Sequence, residues 1–173
     1  MSAKIYNVLF LCTTNSARSI MAEAIINQAA LGRFRGFSGG NQPSGRVNPL
    51  ALELLERHQF STRKLRSKSW AEFVAPDAPH MDFVITLCDQ VRGEACPEWP
   101  GNPITAHWGI PDPAIVSGTQ KERMAAFRDA LRALERRIRI FASLRLELLD
   151  RMRIKRRVDE IGAPASSGEG EKR

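Results

Sequence analysis

Cysteine is scarce in this chain of 173 residues: there are three, an odd number and too few for a disulfide framework, so free thiols are expected. Long apolar runs are missing as well. The longest near the start, residues 8–12, is far short of a membrane span, and nothing before it supplies the charged region and cleavage site of a secretory leader. A cytoplasmic location follows as the expectation, a compartment that keeps thiols reduced. The basic residues lack interleaved aromatics and any recognised binding motif, which argues against nucleic acid as a partner. His107 has no second ligand at metal-binding spacing, so it reads with Trp108 as structural.

What the chain does have is the composition of a soluble globular protein, 43% hydrophobic and 26% charged, in a length that suits one domain. The formal net charge of +7 is unevenly placed. Residues 121–160 hold 13 basic and 7 acidic side chains, so this stretch alone carries +6. A solvated helix face accounts for it, and the resulting field also draws in small anions.

Val8-Leu9-Phe10-Leu11-Cys12 is a short continuous apolar run, as in a parallel strand covered on both faces. Thr13-Thr14-Asn15-Ser16 then suits a tight loop and a helix cap, with a helix predicted over residues 19–30 on an apolar face of Ile20, Ala24 and Ile25. A second strand is predicted over residues 34–38, followed by a helix opened by Pro49. Residues 83–88 read as another buried strand and residues 104–108 as a fourth. Phe127, Leu131, Leu134, Ile138 and Phe141 form one face of a long amphipathic helix. Leu148, Leu149, Met152, Val158 and Ile161 either continue it or make a second one. This alternation predicts an α/β fold: an open parallel sheet of about four strands with helices on both faces. Ligands bind such sheets beyond the C-terminal strand ends, where Cys12 and Cys88 both fall. The domain is expected over residues 1–145, a helical extension over 146–162 and a disordered tail over 163–173.

Chemistry concentrates in Cys12-Thr13-Thr14-Asn15-Ser16-Ala17-Arg18-Ser19, set between strand and helix. A loop turning into a helix start aims successive N–H groups at one point, a nest for an anion. Cys12 faces the positive helix end, which favours the nucleophilic thiolate. Arg18 offers a planar fork to two oxygens of a tetrahedral oxyanion, and Asn15 with Ser16 or Ser19 can bond across the loop. A buried cysteine before an ordinary helix cap explains Cys12 and Ser16 but not Arg18 and Ser19 at their spacing.

This loop, with Met21-Ala22-Glu23 after it, resembles that of the low-molecular-weight protein-tyrosine phosphatase superfamily, and most of all the arsenate reductases built on that fold. Phe37-Ser38-Gly39-Gly40, Val47-Asn48-Pro49, Thr86-Leu87-Cys88-Asp89, His107-Trp108-Gly109 and Asp112-Pro113 extend the similarity over roughly residues 5–141. The resemblance implies Asp112 as the general acid, on a loop stiffened by Pro113. It implies that Cys88 and Cys96 complete a three-thiol relay, in which Cys12 attacks arsenate, Cys88 attacks Cys12 and Cys96 attacks Cys88. Thioredoxin, or glutaredoxin with glutathione, would then reduce the last disulfide. Phosphatases of the family carry a tyrosine after Asp-Pro, whereas Ala114 and Ile115 stand here and the chain's one tyrosine is Tyr6.

No tightly bound cofactor is expected beyond a potassium ion, which the resemblance places at Asn15, Glu23 and Ser38. The expected partners are an arsenate- or phosphate-like oxyanion and an external thiol reductant, with no membrane, and with monomer or homodimer left open. Two other functions remain: hydrolysis of phosphotyrosine or small phosphate esters with Cys88 and Cys96 incidental, and an anion sensor whose basic helical tail docks a partner.

Overall fold

The computed structural model describes residues 3–88 and 98–163. Cys96, the loop that carries it and nearly all of the expected tail lie outside the described residues.

Four strands, β1 (Tyr6–Cys12), β2 (Phe34–Gly40), β3 (Phe83–Thr86) and β4 (Ile104–His107), form one sheet in the order β2-β1-β3-β4. Every pairing is parallel; Cys12 stands opposite Gly40, and Leu11 opposite Thr86. Among the described residues the helices are α1 (Arg18–Ala29), α2 (Pro49–Arg57), α3 (Gln120–Ala142) and α4 (Arg151–Gly162). Short 3-10 turns occupy Trp70–Phe73, Pro113–Ile115 and Leu146–Leu148.

Strand alternation sorts the core into two layers. Val8 and Phe10 join a cluster with Ile20 and Ile25 of α1, Leu54 of α2, Phe127 and Phe141 of α3, and Val158 of α4. Leu9 and Leu11 point the other way, into a smaller cluster with Val84, Cys88, Met81 and Phe73 of the first 3-10 turn. The larger cluster thus holds residues of all four α-helices among the described residues, and the Trp70–Phe73 turn covers the other sheet face.

Helix α1 is more enclosed than its sequence predicts: every residue of Ser19–Ile26 is buried, rather than one apolar stripe. It lies between the sheet and α3, so its polar members Ser19 and Glu23 are buried with the rest. Ser16 does not cap it. Ala17 occupies the cap position and makes no side-chain cap bond to the first turn, which leaves helix-terminal N–H groups for an anion.

Between the long helix and the last one the chain breaks at Ser143, whose N–H and hydroxyl turn back onto Ile140 O. Asp150 caps the new start through Arg153 N–H. So α4 is a second helix and not a continuation. It packs on β4: buried Trp108 donates its indole N–H to Val158 O at 2.9 Å. The backbone of Gly162 passes so close to His107 O that a Cβ would sit 2.2 Å from it.

Candidate active site

Beyond the C-terminal end of β1 the chain runs through the loop of residues 13–17 before entering α1. Asn15 adopts a φ of 47°, a left-handed conformation that asparagine tolerates and that lets the loop reverse. Flanking N–H groups hold the loop carbonyls: Gln42 bonds Thr13 O at 3.0 Å, Ser44 bonds Thr14 O at 3.0 Å and Asn48 bonds Ser16 O at 2.9 Å. Ser67 Oγ also donates to Thr14 O, and Thr14 and Ser16 join hydroxyls at 3.1 Å. Carbonyls turned to the flank orient the intervening peptide N–H groups toward the loop centre, the geometry of a nest. Gly40 permits this closeness, since a Cβ there would lie 2.4 Å from Thr13 O and 2.8 Å from Cys12 O.

Cys12 is buried, and its sulfur lies 2.8 Å from Ser19 Oγ. The proton positions follow from the surrounding bonds. Lys68 N–H donates to Asn15 Oδ1 at 2.9 Å, which fixes the amide so that its Nδ2 faces Ser19 Oγ at 2.8 Å. The amide donates to that oxygen, so the serine's own hydrogen is left for Cys12 Sγ. The sulfur therefore receives a hydrogen bond, as a thiolate requires. Sequence alone offered Ser16 or Ser19 for this role; the geometry assigns it to Ser19.

Arg18, the first residue of α1, donates through Nη1 to Ile110 O at 2.9 Å and brings Nη2 within 3.5 Å of Asp112 Oδ2. Ile110 is itself tied to the β3 end, its N–H on Leu87 O, and Trp108 N–H bonds Thr86 O. The loop carrying Asp112 is thus anchored at the end of β3, the strand beside β1, which ends in Cys12. Asp112 uses Oδ1 to cap the Pro113–Ile115 turn through Ala114 N–H, leaving Oδ2 toward the arginine. Ile115 beyond it is exposed.

Cys88 lies two residues past β3, buried in the same cluster as Cys12. Its sulfur is 3.4 Å from the hydroxyl of Thr13, the residue after Cys12. Both are free thiols. Cys96 falls among the residues the structure does not describe. His107 joins Thr86 Oγ1 at 2.7 Å, in keeping with a structural role.

The residues expected to hold potassium have other engagements. Ser38 Oγ donates to Glu23 Oε1 at 3.0 Å, and Lys68 Nζ sits 3.3 Å from Ser38 Oγ and 3.6 Å from Glu23 Oε1. Asn15 Oδ1 accepts from the same lysine's main chain. Burial pushes the Glu23 carboxyl up and the Lys68 ammonium down, and the two opposite charges counter each other's shift. The Ser38 and Glu23 oxygens thus face an ammonium, and the Asn15 oxygen faces the same residue's main-chain N–H. Nothing in the sequence marked Lys68 for this role. A lysine in the polar run Arg66-Ser67-Lys68-Ser69 reads as surface, yet it is 7% exposed.

A family model described as low molecular weight phosphotyrosine protein phosphatase matches residues 7–155. An arsenate reductase of Halalkalibacterium halodurans is 33% identical over 135 residues, covering 78% of this chain and 94% of that protein. Among solved structures, an arsenate reductase from Archaeoglobus fulgidus is 27% identical with a TM-score of 0.62, covering 79% of this chain and 99% of the other. Another, an arsenate reductase in the phosphate binding state, is 26% identical with a TM-score of 0.65, covering 80% and 97%.

Proposed function

Since the chain belongs to the low molecular weight phosphotyrosine protein phosphatase family, we propose that it acts as an arsenate reductase, with Cys12 as nucleophile and Cys88 as the next thiol. One observation carries the redox half of this reading: a second buried free thiol, Cys88, is hydrogen-bonded to the residue that follows the nucleophile. Ester hydrolysis has no use for it, because water completes that reaction. Reduction requires two electrons, and a neighbouring thiol supplies them. The relatives named arsenate reductase support the same choice.

The chemistry runs as follows. Arsenate takes the nest N–H groups and the Arg18 fork. The Cys12 thiolate, held by the Ser19 hydroxyl, attacks arsenic, while Asp112 gives its proton to a departing oxygen that leaves as water. Cys88, as thiolate, attacks Cys12 Sγ. The Cys12–arsenic bond breaks, its electron pair stays on arsenic, and arsenite departs with a Cys12–Cys88 disulfide left behind. Cys96 then attacks Cys88, restoring the Cys12 thiolate and leaving a Cys88–Cys96 disulfide. An external dithiol reduces this last bond, thioredoxin in the first instance and glutaredoxin with glutathione as the other source. The reaction suits a cytoplasmic protein, where such reductants are kept reduced. No helix among the described residues is long and apolar enough to cross a membrane.

The experiment supplies purified protein with arsenate, thioredoxin, thioredoxin reductase and NADPH. Arsenate-dependent loss of NADPH that disappears in Cys12→Ser, Cys88→Ser and Cys96→Ser supports the relay. Phosphate-ester hydrolysis that is brisk and unchanged in Cys88→Ser and Cys96→Ser, with no NADPH loss, makes the protein a phosphatase.

A further inference from the structure

We infer that Lys68 is a built-in cation that stands where a metal ion would otherwise be required behind the nucleophile loop, and that it positions Cys12 through Asn15 and Ser19. Glu23 is 7% exposed and lies on a helix whose residues Ser19–Ile26 are all buried. A carboxylate in that setting needs an opposite charge and donors for its oxygens. The Lys68 ammonium brings both. Its three hydrogens face Ser38 Oγ at 3.3 Å, Arg66 O at 2.8 Å and the Glu23 carboxylate at 3.6 Å, all oxygens that a hard cation would seek.

The same residue also controls the loop by its main chain. Its N–H fixes Asn15 Oδ1 at 2.9 Å, and its carbonyl accepts from Gly40 N–H at 3.1 Å. From there the line continues through Asn15 Nδ2 to Ser19 Oγ and on to Cys12 Sγ, 2.8 Å at each step. Anchoring the ammonium between Glu23 and Ser38 holds this stretch of chain against β2, and so holds the amide that orients the serine. Lys68 touches no substrate in this scheme; it is a positioning residue. The inference concerns the loop's architecture and does not depend on which oxyanion chemistry the loop performs.

The test compares potassium chloride with choline chloride at equal ionic strength, choline being too large to enter the site. The parent protein is expected to melt at the same temperature in both salts. Lys68→Met keeps the main-chain N–H but removes the charge. Its Tm in choline chloride should fall, and potassium should raise it again by at least about 3 °C by binding the vacated carboxylate and hydroxyl. Alkylation of Cys12 by iodoacetamide, followed by peptide mass spectrometry, should slow about tenfold in the variant in choline and recover in potassium. The double variant Glu23→Gln/Lys68→Met should lose the potassium response. A potassium-specific rise of Tm in the parent, or a Lys68→Met protein indifferent to the cation, overturns the inference. Should Lys68→Met fail to fold in either salt, the double variant decides. Recovered folding supports the pairing, and continued failure rejects it.

Discussion

Arg18 and Asp112 face each other across the mouth of the loop, Nη2 to Oδ2 at 3.5 Å, although they lie on different elements and 94 positions apart in number (112 minus 18). The group proposed to grip the oxyanion and the group proposed to protonate it are thus held at one point. Asp112 divides its two oxygens between a structural bond to Ala114 N–H and the side facing Arg18.

That division predicts the behaviour of Asp112→Asn. The amide oxygen still caps the turn, so Tm should stay within about 1 °C of the parent. Turnover should fall by about 10²- to 10⁴-fold, because the amide has no proton to give a leaving oxygen. Steady-state kinetics beside a thermal melt separates the two effects; a drop in Tm with kcat retained would contradict it.

Ser19→Ala removes the hydroxyl that donates to Cys12 Sγ and strands the buried Asn15 Nδ2. Leaving a buried donor unpaired costs about 1–3 kcal/mol, which denaturant unfolding will register. Cys12 should also become less reactive toward iodoacetamide by about tenfold, from the lost charge-assisted bond. Ser19→Thr, which keeps the hydroxyl, should recover part of both.

Gly40→Ala tests how closely β2 supports the loop. The new Cβ would meet Thr13 O at 2.4 Å and Cys12 O at 2.8 Å, backbone atoms that can yield only by moving the loop. Destabilisation of about 1–3 kcal/mol is expected. A larger proportional loss should appear in kcat/KM, since a displacement of about 1 Å at a reacting group costs on the order of 100-fold.

Helix α4 is predicted to be an integral part of the fold. Ile154 and Val158 are buried, and Trp108 is tied to Val158 O. Trp108→Phe should lower stability by about 1–3 kcal/mol and speed amide exchange selectively in α4. Hydrogen-exchange mass spectrometry reads it directly; unchanged exchange over residues 151–162 would contradict the prediction.

How legible all this was in the sequence depends on how far apart the interacting residues lie. The strand residues Val8 to Leu11 and Phe83 to Ile85 are continuous apolar runs, so buried parallel strands could be read from composition. The Cys12 loop was legible because its residues are consecutive, and their spacing means little unless they surround an anion. Asn15, Ser19 and Cys12 do converge as that spacing suggests. Lys68 was not legible, because its partners Glu23, Ser38 and Asn15 lie 30 or more positions away on α1, β2 and the loop, and a lone lysine in a polar run has the look of a surface residue. The break after α3 was hidden for a different reason. Apolar residues continue at helical spacing across it, and only the Ser143 turn and the Asp150 cap end one helix and start the next. The approach of Cys88 to Thr13 is a product of β1–β3 register, which pairwise strand order fixes and local pattern does not.

The most direct measurement of the redox account is a thiol map of Cys96→Ser, with and without one equivalent of arsenate under anaerobic conditions, quenched with N-ethylmaleimide. Without Cys96 the relay should stall after its first exchange. The account predicts a Cys12–Cys88 disulfide that forms only with arsenate, at one arsenite released per chain. Arsenate-treated protein with Cys12 and Cys88 both alkylated, or the same disulfide at equal yield without arsenate, would contradict it.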